Sequence, residues 1–117
     1  MKENVIKDKS FTFAIRIVKL HKYLVEEKRE FVLSKQLLRS GTAIGALIRE
    51  AEHAESKADF IHKLSIFLKE ANETDYWIEL LFHTDFYSEK EYKTIKGDIE
   101  ELIKILVAII KTSKARK

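Results

Sequence analysis

The 117 residues contain no cysteine and no proline, and glycine occurs only three times. Without cysteine there is no disulfide framework, no thiolate metal site and no cysteine nucleophile, which suits a reducing cytoplasm. Without proline, and with so little glycine, the chain has few residues able to break a helix. It also lacks any run approaching the roughly 20 uncharged residues of a membrane span. Its early apolar segment, FTFAIRIVKL, is interrupted by Arg16 and Lys19 and is not followed by a small-residue cleavage site, so it reads neither as a span nor as an export signal. What is present is 45% apolar and 35% charged residues, the profile of amphipathic helices joined by short connections. The expectation is one domain, 1–117, with one core and short basic N- and C-terminal tails.

Four helices are predicted, over Ser10–Lys28, Ser34–Ala54, Ser56–Phe86 and Ser88–Ser113, each opening on a serine. Ser56 with Asp59 and Ser88 with Glu91 have the capping-box spacing, in which hydroxyl and carboxylate satisfy the unpaired amides of a first turn. Connections of a few residues force neighbouring helices antiparallel. The predicted fold is therefore all-α, an antiparallel up-down-up-down four-helix bundle.

The apolar pattern asks for more than one core. In the fourth helix, Tyr92, Ile95, Ile99, Leu102, Leu106 and Ile109 alternate spacings of three and four, while Ile103–Ile110, including Val107 and Ile110, is apolar nearly all round. In the first helix Phe11, Phe13, Ala14, Ile15, Ile17, Val18, Leu20, Leu24 and Val25 cover an arc of roughly 220°, about twice the stripe that one core uses. The third helix places Phe60, Leu64, Phe67, Leu68, Ala71, Ile78 and Phe82 on its core arc and Trp77 and Leu80 on the opposite side. Phe11, Ile15, Val18, Trp77, Leu80, Val107 and Ile110 are accordingly the expected self-association surface.

Gly41 and Gly45 lie one turn apart within LLRSGTAIGALIREA. A phosphate loop would need a preceding strand and a Lys-Ser/Thr pair, and the sequence has neither. Each glycine costs a helix roughly 1 kcal/mol relative to alanine, so close helix packing, with Phe60 or Phe67 filling the space, is the expected offset. Glu50 with His53 and Asp59 with His62 have the spacing of di-iron ligands, but they fall on polar faces near a turn rather than inward at mid-bundle, so no metal and no cofactor is expected. His21 reads as a hydrogen-bonded core or interface residue. Asp75 and Glu79, one turn apart in the apolar arc, need cations, for which Arg39 and Arg49 are the candidates. No catalytic constellation emerges, and the chain reads as a non-enzyme.

Charge is unevenly distributed. Residues 1–49 carry 11 Lys/Arg and 5 Asp/Glu, residues 50–101 carry 6 and 14, and residues 102–117 carry 5 and none. The predicted topology gathers Lys2, Lys7 and Lys9 with Lys111, Lys114, Arg116 and Lys117 at one end, and Arg16, Lys19 and Lys22 extend that cluster along the first helix. These ten are the candidate phosphate contacts for RNA or DNA. The alternative is a scaffold docking a basic protein partner on Glu70, Glu73, Glu89 and Glu91.

QLLRSGTAIGALIREA, followed by ADFIHKLSIFLKEANETDYWIELL, resembles the four-helix bundle family associated with intervening sequences in bacterial 23S ribosomal RNA genes. Gln36, Arg39, Ser40, Ile44, Glu50, Phe60, Leu64, Ser65, Ile66 and Glu73 stand at the family's positions, whereas Leu47 replaces Asn and Ala51 replaces Gly. The chain is also similar to the accessory proteins of diversity-generating retroelements, homopentameric barrels with a basic surface. The resemblance implies a small bacterial cytoplasmic protein, a homo-oligomer whose number of subunits it does not fix, with a pentamer as the precedent of the retroelement proteins, and a nucleic-acid context.

Overall fold

The computed structural model describes residues 2–116, with side chains from Val5 onward. Four helices account for nearly all of it: α1 Lys2–Glu26, α2 Leu33–Ala51, α3 Lys57–His83 and α4 Glu89–Ala115, with no strand among the described residues. Each helix packs against its sequence neighbours, α1 also meets α4 over a shorter contact, and among the described residues the backbones of the diagonal pairs stay more than 8 Å apart. This is the up-down-up-down bundle, a rod of 50 × 22 × 19 Å.

Two of the four predicted serine starts hold. The hydroxyl of Ser56 accepts from the Asp59 amide at 3.0 Å and that of Ser88 from the Glu91 amide at 3.2 Å. The Asp59 carboxylate reaches back to the Glu55 amide at 3.1 Å, closing the first turn of α3 reciprocally. The other two do not cap: α2 begins at Leu33, one residue before Ser34, and Ser10 is internal. α1 starts at Lys2, because Ile6 is fully buried and carries the helix into the core, while Ser10 is buried mid-helix and donates back to the Lys7 carbonyl at 3.0 Å. At α2 the cap is supplied by Glu30, whose carboxylate accepts from the amides of Val32, Leu33 and Ser34 at 3.3, 3.2 and 2.6 Å. The Ser34 hydroxyl donates to the Glu30 carbonyl. Arg29 takes the left-handed conformation (φ 55°) that turns the chain there, and Asp85 (φ 68°) does the same after α3. α2 ends at Ala51 with Glu52 in a right-handed conformation, so the helix stops without a left-handed glycine.

The core runs the length of the rod, with Ile17, Leu24, Leu37, Ile44, Leu64, Phe67, Ile78, Leu81, Ile95, Ile99, Leu102 and Leu106 all but inaccessible. Leu64, Phe67, Ala71 and Ile78 are the buried members of the predicted α3 arc, and Phe60, Leu68 and Phe82 pack at its margin. Buried hydroxyls are bonded: Thr74 donates to Ser40 across α2 and α3 at 2.9 Å, and Tyr87 donates to the Ile78 carbonyl at 2.8 Å. The predicted glycine face is present, but its partner is α1 rather than an α3 aromatic. A Cβ on Gly41 would stand 2.9 Å from both γ carbons of Ile17, whereas one on Gly45 would meet the Ser10 carbonyl oxygen at 3.6 Å, an ordinary contact. Gly97, exposed on α4, has nothing within 4 Å of the same position.

The three glycines are therefore expected to behave differently on replacement by alanine. Gly97→Ala and Gly45→Ala gain up to about 1 kcal/mol from helix propensity. In Gly41→Ala the gain is outweighed by an overpacking cost of about 1–3 kcal/mol, because Ile17 is β-branched and enclosed and has no free end to swing away. Urea midpoints check the order, and a Gly41 variant as stable as the Gly97 variant would show that α1 does not press on α2.

Candidate assembly face and polyanion interface

The first helix has two apolar sides, as its arc predicts. Phe13, Ile17, Leu20 and Leu24 turn inward, while Phe11 (53% exposed) and Ile15 (44%) turn outward with Val18 half-buried beside them. Phe11, Ala14, Ile15, Val18, Lys19 and Lys22 line a groove of about 320 Å³ on α1. Their i, i+3, i+4, i+7 spacing forms two overlapping four-residue diamonds, the shape that receives one side chain from a facing helix. The Arg49 guanidinium stands 5.5 Å from the centre of the Phe11 ring and fixes the α2 edge of this face.

The other predicted interface residues are more covered. Trp77 and Leu80 are half-buried; Trp77 packs at the core margin, and its indole N–H donates to Glu73 at 3.0 Å. The aromatic that projects from α3 is its neighbour Tyr76, 57% exposed and edge-on to Trp77 with centroids 5.0 Å apart. Val107 and Ile110 are half-buried. Phe31 and Val32, both exposed in the α1–α2 turn, were also missed, since a short apolar pair between helices carries no periodicity.

The basic candidates divide into two groups. Lys7 pairs with Glu52 at 3.1 Å, Lys9 with Glu101 at 3.2 Å, and Arg16 with Glu91 and Asp98, each at 2.9 Å. Antiparallel register sets these three opposite Glu52 at the end of α2 and carboxylates of α4, so their charge is engaged within the bundle. Lys19, Lys22, Lys111, Lys114 and Arg116 are exposed and pair with no described carboxylate. The pairing of Lys9 with Glu101 brings the N-terminal end of α1 beside the C-terminal end of α4, where Lys111, Lys114 and Arg116 stand. The Lys2 side chain and Lys117 lie outside the described residues.

The carboxylates of α3 find cations other than those expected for them. Asp75 and Glu79 share Lys96 of α4, at 2.6 and 3.3 Å, and Tyr92 donates to Glu79 as well. Arg39 serves Glu70, at 3.0 Å, and Glu73, and Arg49 lies over Phe11 instead. The hydrogen bond from Trp77, then that from Arg39, holds the Glu73 carboxyl below its ordinary range. Glu79 is lowered by Tyr92 and then Lys96, against an opposing effect of burial. His21 is half-buried, with Nδ1 3.1 Å from the Ser34 carbonyl oxygen. His53 and His62 are exposed, Asp59 is engaged in the α3 cap, and no three metal-ligating side chains gather among the described residues. No described helix is long and apolar enough to cross a membrane.

The sequence that folds in this way is matched over residues 2–108 by the family described as 23S rRNA-intervening sequence protein. The chain belongs to that family. It is similar to a protein of unknown function from the S23 ribosomal protein family of Bacteroides thetaiotaomicron, whose crystal structure superposes with a TM-score of 0.93 at 61% identity, over 95% of this chain and 99% of that one. Among curated proteins, none matches. Membership confirms the family resemblance, and the structure shows what two of the residues quoted for it do in this chain. Arg39 holds Glu70 and Glu73, and Ser40 holds Thr74.

The lowered carboxyls tie stability to pH. Unfolded, Glu73 and Glu79 titrate near 4.5, and folded they titrate lower. Their contribution is therefore complete above that value and is lost as pH falls through the folded range. Thermal melts should show the wild type losing stability on acidification below about pH 4.5 more steeply than a Glu73→Gln/Glu79→Gln variant, itself less stable at neutral pH. Equal acid slopes would mean that these pairs are not formed.

Proposed function

We propose that the chain is a non-enzymatic subunit of a cytoplasmic homo-oligomer, for which the resemblance offers a pentamer as precedent, that holds the phosphate backbone of RNA or DNA at the basic end of the bundle. The observation that carries this reading is the exposed group Lys111, Lys114 and Arg116, which closes a segment, 102–117, without a single acidic residue and has no described ion-pair partner. Symmetry would repeat the group around an axis, and a ring of cations attracts a polyanion far more strongly than one copy does. The family's description supports a ribosomal RNA context. Lys7, Lys9 and Arg16 contribute less to this footprint than their sequence positions suggested, because a phosphate would have to displace a carboxylate already in place. The scaffold alternative has less to offer, because each of its four carboxylates already has a cation beside it, although Glu70 and Glu73 share one. Glu70 and Glu73 are held by Arg39, Glu91 by Arg16, and Glu89 by Lys93 at 3.6 Å.

Phosphate contacts position a backbone without reading bases, so affinity should depend little on sequence and steeply on salt. Replacing Lys111, Lys114 and Arg116 by Gln is expected to weaken binding to duplex RNA and DNA alike, and to flatten log affinity against log salt by about one unit per lost contact on duplex DNA. The mass of the assembly should not change. Anisotropy titrations at two salt concentrations check this. Absence of wild-type binding to any nucleic acid at about 50 mM salt, where such contacts are strong, would remove the proposal.

A further inference from the structure

The outward faces of α1 and α3 point away from each other. The two helices are diagonal partners whose backbones stay more than 8 Å apart, and both run antiparallel to α2, hence in the same direction. They also share a height. Ile17 lies against Gly41 and Ser40 bonds Thr74, so the middle of α1 is level with the Thr74 region of α3.

At that common level the charges are opposite. Residues 9–25 contain four Lys/Arg and no Asp/Glu, whereas residues 70–83 contain four Asp/Glu and no Lys/Arg. Internal pairing does not cancel this. Lys9 and Arg16 are engaged by α4, leaving Lys19 and Lys22 beside the apolar groove. On α3 the four carboxylates Glu70, Glu73, Asp75 and Glu79 face two Lys/Arg side chains, Arg39 and Lys96, with the His83 ring 3.5 Å from Glu79, so carboxylates outnumber Lys/Arg by two. The apolar features correspond too, since α1 offers the hole formed by Ile15, Val18, Lys19 and Lys22, and α3 offers the projecting ring of Tyr76.

We infer that a second copy of this chain covers the α1 face with the outward face of its α3, Tyr76 entering the hole bounded by Ile15, Val18, Lys19 and Lys22. The contact rests on the assembly reading above and specifies how it is made. It is head-to-tail: each copy presents α1 to one neighbour and α3 to another, from opposite sides, with neighbouring rods parallel because α1 and α3 run the same way. Such a contact closes into a ring when its rotation divides a full turn. Every copy then points Lys111, Lys114 and Arg116 toward the same end, which sets the proposed phosphate-binding cations in one plane.

The absence of native cysteine makes the test direct. Ile15, Lys22, Asn72 and Tyr76 are exposed, so single cysteines at these positions leave the core untouched. Under mild oxidation, Ile15→Cys mixed with Asn72→Cys, and Lys22→Cys mixed with Tyr76→Cys, are expected to give disulfide-linked dimers, while each variant alone stays largely unlinked. Light scattering on the same samples before oxidation reads the assembly. Efficient self-linking of Ile15→Cys alone would show a symmetric α1–α1 contact and overturn the inference. An oligomer that links in neither mixture would overturn the pairing but leave assembly standing, and monomers throughout would remove both.

Discussion

With no Cβ on Gly41, Ile17 can lie directly against the backbone of α2, and this contact decides which side of α1 faces inward. Once Ile17 is seated, Phe13, Leu20 and Leu24 follow it into the core by helical geometry, and Phe11, Ile15 and Lys22 are carried outward. Rotation of α1 to bury Phe11 and Ile15 instead would expose fully buried residues and break the line of ion pairs from Lys9 and Arg16 to α4. The apolar outer face is thus a consequence of how the inner face is locked, and it is the surface that the proposed assembly would cover.

Electrostatics follow the same layout. Cations of α1 that look toward α4 are engaged, and those that look outward are not. The carboxylates of α3 outnumber the cations that reach them, and Trp77 and Tyr92 donate hydrogen bonds that keep two of them ionised. The result is a rod with positive and negative sides at the same height and a separate basic end. Sequence totals of charge conceal this, because the net value of +3 is a small remainder of large opposed terms.

Much of the fold was legible in the sequence because periodicity and caps are local. Ser56 and Ser88 cap as their spacing requires, and the Ile95–Ile99–Leu102–Leu106 seam is buried as a unit. Ser10 and Ser34 misled because a serine hydroxyl serves a helix interior by bonding back to a carbonyl as readily as it serves a start. Glu30 was invisible as a cap, since its role depends on the Arg29 turn that swings its carboxylate over three amides. At the candidate site the apolar excess of α1 was readable. Pairing was not, because which carboxylate meets Lys9, Arg16 or Lys96 depends on inter-helix register, and periodicity within one helix does not carry it. Tyr76 was passed over for Trp77 because one residue of rotation separates a projecting ring from a half-covered one.

Whether the outer face of α1 serves assembly rather than folding is settled most directly by sedimentation velocity on the wild type and on a Phe11→Glu/Ile15→Glu variant. The wild type should sediment as a multiple of the 13.7 kDa chain, and the variant as a helical monomer that still unfolds cooperatively. A monomeric wild type, or a variant that keeps the full assembly mass, would contradict the account.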